Sequence, residues 1–129
     1  MVFATGTRTV RGLEALSIGT PPIPGQAVVR RPGNEHLATL GEQLAHQGFT
    51  SLFLYGGYGY FDNMNAYFGA NDYKVVDRTD LPAGEIAFEN VWGVADESLF
   101  GGALREFDGA ARDHKPFFAH IMTTSNHRP

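Results

Sequence analysis

The hydrophobic pattern of this chain switches between a helical and a strand period. Arg11 to Ser17, with the run Leu13-Glu14-Ala15-Leu16, reads as a short helix, and Met1 to Thr5 ahead of it as the end of a strand. Ile18 to Asn34 carries Pro21, Pro22, Pro24, Gly25, Pro32 and Gly33, so it is a loop or extended connector. Glu35 to Gln47 is the clearest helix. Leu37, Leu40 and Leu44 keep a three-to-four spacing, Asn34 is placed to cap the start and Gly48 the end. Phe49 to Tyr55 is apolar and aromatic, ends in Gly56-Gly57, and reads as a strand.

Further on, Asp62 to Phe68 predicts a short helix with Met64, Tyr67 and Phe68 turned inward, and Tyr73 to Asp77 a short strand. Asp80 to Gly84 is a turn. Phe88 to Val94 reads as irregular, with Trp92 anchoring a loop. Glu97 to Asp113 predicts a helix capped by Asp96, with Leu99, Phe100, Leu104, Phe107 and Ala111 on one face. Phe117 to Thr123 is a continuous apolar run, as expected for a central parallel strand covered on both faces. Helix, glycine and buried strand in succession is the unit of an α/β sheet.

Composition narrows the classes. The chain has 129 residues, 43% of them hydrophobic and 19% charged, which suits one small globular domain. A net charge of −4 gives no broad electrostatic case for nucleic acid or an anionic membrane. The absence of cysteine excludes disulfides and thiolate-held zinc without choosing a compartment. No apolar run approaches the roughly 20 residues of a membrane span, and the N-terminus lacks a signal-peptide layout. Taken by themselves, these features describe a soluble, cytoplasmic chain.

The candidate chemistry begins at Ala4-Thr5-Gly6-Thr7-Arg8-Thr9-Val10-Arg11-Gly12. A hydroxyl at a helix start, flanked by fixed positive charge, suits a nucleophile attacking a phosphate ester. Free N–H groups and the helix dipole favour anions there, and arginine offers a planar fork to phosphate or sulfate oxygens. An ordinary polar turn capping a helix fits the same residues. Beyond the strand ending at Tyr55, Gly56-Gly57-Tyr58-Gly59-Tyr60-Phe61-Asp62-Asn63-Met64 holds three glycines that allow close backbone approach. It is a site loop or a tight aromatic turn, and fits neither a Walker A nor a dinucleotide fingerprint. Thr124-Ser125-Asn126-His127-Arg128-Pro129 is a polar cluster at the end of a strand, where α/β proteins place active sites. His120 lies inside the strand and reads as a core histidine. His36, His46 and His114 read as surface positions, and Arg30 and Arg31 as solvent-facing.

Thr-Gly-Thr-Arg-Thr-Val-Arg-Gly-Leu-Glu-Ala-Leu, Tyr-Gly-Gly with Phe-Asp-Asn-Met, Gly93 to Glu97, and Ser-Asn-His-x-Pro together resemble the sulfatase/alkaline phosphatase superfamily, in its lipoteichoic acid synthase and phosphoglycerol transferase branch. The resemblance implies a three-layer alkaline phosphatase-like α/β fold with a mostly parallel sheet, only part of it present. It implies a metal-dependent transfer of phosphoglycerol, or of a similar head group, to cell-envelope polymers or glucans through a covalent threonine. Thr9 takes the role of nucleophile and metal ligand, with Thr5 and Thr7 as runners-up. Arg11, Arg8, Tyr60 and His127 fall to substrate binding, His127 touching the phosphoryl group or its leaving group. The implied cofactor is a divalent metal, manganese first, with zinc, magnesium or calcium as alternatives. The implied partners are a phospholipid head-group donor and a glycan or polymer acceptor, with no nucleic acid. The implied location is outside the cytoplasmic membrane, tethered by N-terminal helices that this sequence lacks.

Two departures qualify the resemblance. Where the branch's pattern has Trp and Arg near the glycine loop, this chain has Tyr60 and Phe61 followed by Asp62 and Asn63. The branch also takes metal ligands from a strand-end acid upstream of the threonine and an Asp-His pair well downstream. Asp113-His114, before the last strand, is not in that context. The sequence therefore reads, over 1–129, as the central part of a catalytic domain truncated at both ends, with apolar strand edges that favour poor solubility. A sulfatase- or phosphodiesterase-type ester hydrolase and an inactive, anion-binding remnant are the competing readings.

Overall fold

The computed structural model describes residues 8–125. Its helices are α1 (Thr9–Ile18), α2 (Leu40–Ala45), α3 (Met64–Gly69) and α4 (Asp96–Arg112), and its strands β1 (Thr50–Tyr55), β2 (Lys74–Val76) and β3 (Phe117–Met122). The strands form one parallel sheet in the order β2-β1-β3. Phe53 of β1 pairs with Val75 on one side and His120 on the other.

The period-two alternation of β1 creates two cores. Phe53 and Tyr55 pack with Val10 and Leu13 of α1 and with Met64, Tyr67 and Phe68 of α3. Leu52 and Leu54 pack with Val76, Leu81 and, from α4, Leu99 and Ala103. The result is three layers: α1, α2 and α3 on one face, the sheet, and α4 on the other. No helix among the described residues is long and apolar enough to cross a membrane.

Several expectations are corrected. The helix expected over 35–47 is only α2, capped by Thr39, whose hydroxyl accepts from the Glu42 N–H at 3.2 Å. The residues before it are not helical because His36 and Ala38 have φ of 49° and 53°. Asn34 is no cap: it is buried and its amide donates to the carbonyls of Val28 and Val29. The helix expected from Asp62 starts only at Met64, because Asp62 and Asn63 are left-handed, at φ 52° and 63°. In α4 the buried face is Ser98, Leu99, Gly102, Ala103 and Ala110, while Phe100 and Leu104 are exposed. Ala103 packs with Leu52 and Leu54, and a Cβ on Gly102 would stand 2.5 Å from Leu81, a fit that a pattern of large side chains does not reveal. Asp96 is the first residue of α4 rather than its cap, and its carboxylate accepts from the N–H groups of Thr124 and Ser125. Among the described residues the central strand is β1, with β3 at an edge and only partly buried.

Candidate functional site

The carboxyl ends of the three strands are tied to one another. After β1, the Gly57 carbonyl accepts from the Arg78 N–H beyond β2, and the Gly59 N–H donates to the Asp77 carboxylate at 2.6 Å. After β3, the buried Thr124 hydroxyl donates to the Val94 carbonyl at 3.1 Å. The glycines permit this closure. A Cβ on Gly57 would stand 2.6 Å from the Trp92 carbonyl, and one on Gly93 would stand 2.5 Å from the Gly56 carbonyl. They bring backbone against backbone, where the sequence suggested an approach to ligand.

Helix α1 delivers Thr9 to this same end. Leu16 shares a hollow with Phe118 at the start of β3, whereas Thr9 shares one of about 270 Å³ with Met122 at its finish. The helix therefore runs antiparallel to β3, with its N-terminus beside the carboxyl end of the strand. Thr9 is the first residue of α1 and is exposed. Gly19, at φ 71°, ends the helix.

The arginines have separate fates. Arg8 precedes α1 and pairs with Asp62 at 3.7 Å. Asp62 also holds Arg30 at 3.3 Å, so the exposed Arg30 has a partner that the sequence did not suggest. Arg11 points elsewhere: its guanidinium bonds the carboxylate of Glu14 at 3.1 Å and the carbonyls of Ile23 and Gly25. Glu14, almost wholly buried, accepts in turn from the Val28 N–H at 2.6 Å. Arg11 and Glu14 thus clamp the Pro-rich connector to α1. Arg31 folds back onto its own loop, donating to the carbonyls of Gln26 and Pro24.

Asp62 and Asn63 occupy backbone conformations that favour Gly, Asn and Asp. Asn63 is held there by its amide, which donates to the Val29 carbonyl at 2.9 Å. This turn presents an aromatic hollow of about 340 Å³ lined by Tyr55, Tyr58, Tyr60, Phe61, Val91 and Trp92. Tyr60 stacks on Tyr58 with centroids 5.3 Å apart, Arg78 lies over the Tyr58 ring at 4.5 Å, and Phe61 meets Trp92 edge to face. Burial, and then the nearby Asp62 carboxylate, raise the Tyr55 phenol above its usual value, so it stays a neutral donor. Asp62 pairs with Arg8, which precedes Thr9 in the chain, and directly follows Phe61 of the hollow.

Sequence reasoning missed Asp62, Tyr55 and Trp92 as parts of this arrangement. The Asp-Asn pair directly after an aromatic, glycine-rich loop is the signal that pointed to it, since both residues tolerate the left-handed region. Thr5, Thr7, His127 and the strand expected over 1–5 lie outside the described residues. Around Thr9 the described residues do not complete a divalent-metal site. Among them, the only group of three or more His, Asp or Glu side chains close enough to hold an ion is His36, Glu42 and Asp72, which does not include Thr9. Asp62, which pairs with Arg8 just before Thr9, is neutralised by two arginines. An ion held by Thr9 would need further ligands from outside these residues.

A three-layer α/β domain with a hydroxyl, arginines and an aromatic hollow at the carboxyl edge of a parallel sheet is an alkaline phosphatase-like architecture. Two solved structures agree. A protein in the alkaline phosphatase superfamily from Vibrio parahaemolyticus superposes with a TM-score of 0.89 at 40% identity, over 98% of this chain and 31% of that one. The lipoteichoic acid synthase LtaP from Listeria monocytogenes superposes with a TM-score of 0.83 at 16% identity, over 98% of this chain and 30% of that one, a likeness of fold alone. The sulfatase family model matches residues 1–129, and the chain belongs to that family. In sequence it is 33% identical over 86 residues to the lipoteichoic acid synthase of Staphylococcus saprophyticus, which covers 64% of this chain and 12% of that protein. The chain thus spans about an eighth of that relative and under a third of each solved structure.

Proposed function

We propose that this chain is the central part of the catalytic domain of a phosphoglycerol-type transferase, with Thr9 as its nucleophile. The observation that supports the reading is the Arg8–Asp62 contact, which links the residue before Thr9 to the turn that directly follows Phe61 of the aromatic hollow. A phosphoglycerol head group has the matching two ends: an anionic phosphoryl group and a small polyol that packs against rings and bonds their hydroxyls. The Staphylococcus saprophyticus relative, named as a lipoteichoic acid synthase, supports the same substrate class.

In the proposed step, the Thr9 oxygen forms a bond to phosphorus while the bond from phosphorus to the departing alcohol breaks. The proton lost by Thr9 ends on that alcohol, with His127 as its carrier. Arg8 and the free N–H groups of α1 stabilise the phosphoryl oxygens. Tyr60 and Tyr55 orient the head group, while Arg11 acts indirectly by holding α1 in place. The donor is a phospholipid head group, the acceptor a glycan or polymer, and the setting the outer side of a membrane to which the larger protein is tethered. A divalent metal, manganese first, would bind Thr9 together with ligands beyond the described residues, and would polarise its hydroxyl.

The test uses the protein that carries this chain, supplied with a fluorescent phosphatidylglycerol. The expected result is release of the lipid product, with Thr9→Ala lowering turnover by about three orders of magnitude or more and leaving the folded spectrum unchanged. Turnover in Thr9→Ala equal to the parent would overturn the assignment. Product appearing as free glycerol phosphate, unaffected by added glycan acceptor, would replace the transferase with a hydrolase.

A further inference from the structure

Among the described residues, the one cluster of metal-ligating side chains lies at the end of the sheet opposite Thr9. One ligand atom each from His36, Glu42 and Asp72 lie within 4.8 Å of one another. His36 Nδ1 and Glu42 Oε2 are 3.1 Å apart. On the far side, His46 Nε2 stands 3.2 Å from Asp72 Oδ2. Asp72 precedes β2 and His46 precedes β1, so this cluster sits at the amino ends of the strands, whereas Thr9 sits at the carboxyl ends.

We propose that His36, Glu42 and Asp72 form a divalent-cation site of the zinc class, with His46 orienting Asp72 from outside. One imidazole and two carboxylates are a donor set for borderline ions, and two negative charges balance the cation. Bonds of about 2.0–2.2 Å to a tetrahedral ion place ligand atoms roughly 3.4 Å apart. The His36–Glu42 pair already meets that spacing, and the exposed His36 and Asp72 have freedom to close the rest. Glu42 is nearly buried in the first turn of α2, which fixes one ligand.

The segments bearing the other two ligands are already tied together. The His36 N–H donates to the Ala70 carbonyl at 3.2 Å, and the Leu37 N–H to the Asn71 side chain at 2.8 Å. Asn71, fully buried, donates to the Asn34 and Tyr67 carbonyls. The loop before α2 and the turn before β2 are thus held together before any ion arrives, leaving only side-chain movement to complete the site. Bound there, the ion joins the start of α2 and the loop before it to the turn before β2. Its effect is on stability, independent of phosphoryl transfer.

Titration of the 129-residue chain with zinc, followed by calorimetry and thermal unfolding, tests the site. The expected result is one saturable site and a raised unfolding midpoint. His36→Asn and Asp72→Asn change exposed side chains to a residue that tolerates their positive φ, and each should weaken binding at least about tenfold. His46→Asn should weaken it less, and Thr9→Ala should leave it unchanged. Cobalt in place of zinc should show the visible absorption of a low-coordinate ion, lost in Asp72→Asn. No saturable binding, or binding that survives both ligand substitutions, or binding lost in Thr9→Ala, would overturn the proposal.

Discussion

Strand β1 turns Phe53 and Tyr55 to one layer and Leu52 and Leu54 to the other, and the two layers are made of different material. The α1/α3 layer is aromatic and threaded with directional bonds. Phe53 stacks on Phe68 at 3.8 Å, the hydroxyls of Ser17 and Tyr67 meet at 2.7 Å, and the Tyr73 hydroxyl accepts from the Gly41 N–H at 3.0 Å. The α4 layer is mostly aliphatic, with Leu81, Val94, Leu99 and Ala103 against the strands. Aliphatic contact is non-directional and tolerates small shifts, whereas buried hydroxyls and stacked rings fix position and angle. The helix that carries Thr9 docks on the directional layer. Placement of Thr9 is therefore set by specific bonds, and the other layer supplies mainly burial.

Core truncation is the strongest way to probe this contrast. Phe53→Ala should cost about 3–5 kcal/mol and Leu99→Ala about 2–5 kcal/mol in urea unfolding. The two should part in the near-ultraviolet spectrum of the tyrosines, which Phe53→Ala disturbs and Leu99→Ala preserves. Equal disturbance by both would erase the distinction between the layers.

A subtler change is Tyr67→Phe. It removes one buried hydroxyl pairing and leaves the ring, at an expected cost of about 1 kcal/mol. The Ser17 hydroxyl keeps only its longer contact, 3.4 Å, to the Glu14 carbonyl. An unchanged urea midpoint would mean that the Ser17–Tyr67 bond contributes nothing to docking α1.

The smallest expected effect comes from pH. His120 faces the aromatic layer, with its ring 5.5 Å from Phe53 and 5.9 Å from Phe68, and burial lowers its pKa below the ordinary 6.5. The unfolded chain then takes up the proton more readily than the folded one. Its contribution is complete above about pH 6.5 and declines as pH falls through the window between that value and the lower folded one. The urea midpoint should drop between pH 7.5 and 5.5, and His120→Gln should reduce the drop. An identical drop in both would remove His120 as its source.

What the sequence made legible follows the same division. Phe49 to Tyr55 and Phe117 to Thr123 were readable as strands to within a residue at each end, because long apolar runs between glycines and polar turns have few other solutions. Positive-φ residues were not: nothing in the leucine spacing of 35–47 showed that His36 and Ala38 leave the helix, so α2 is only six residues long. At the site, Thr9, Arg8 and Tyr60 were named from motif. Their connection through Asp62 was not, since a carboxylate serving two arginines from different loops depends on tertiary placement. Arg11 illustrates the converse: two residues after Thr9 in sequence, it faces Glu14 and two carbonyls in space.

The order β2-β1-β3 also has a meaning in time. Phe53 meets Val75 across a separation of 75 − 53 = 22 residues, but His120 across 120 − 53 = 67. The buried members of the aromatic core run from Val10 to Tyr73, whereas the aliphatic core waits for Leu99 and Ala103. As the chain leaves the ribosome, the layer that carries Thr9 has its main partners in hand before the layer behind the sheet has been translated. Short closures come first and the long one last, so β1 pairs with β2 before β3 arrives, and β3 then completes the hollow beside Thr9.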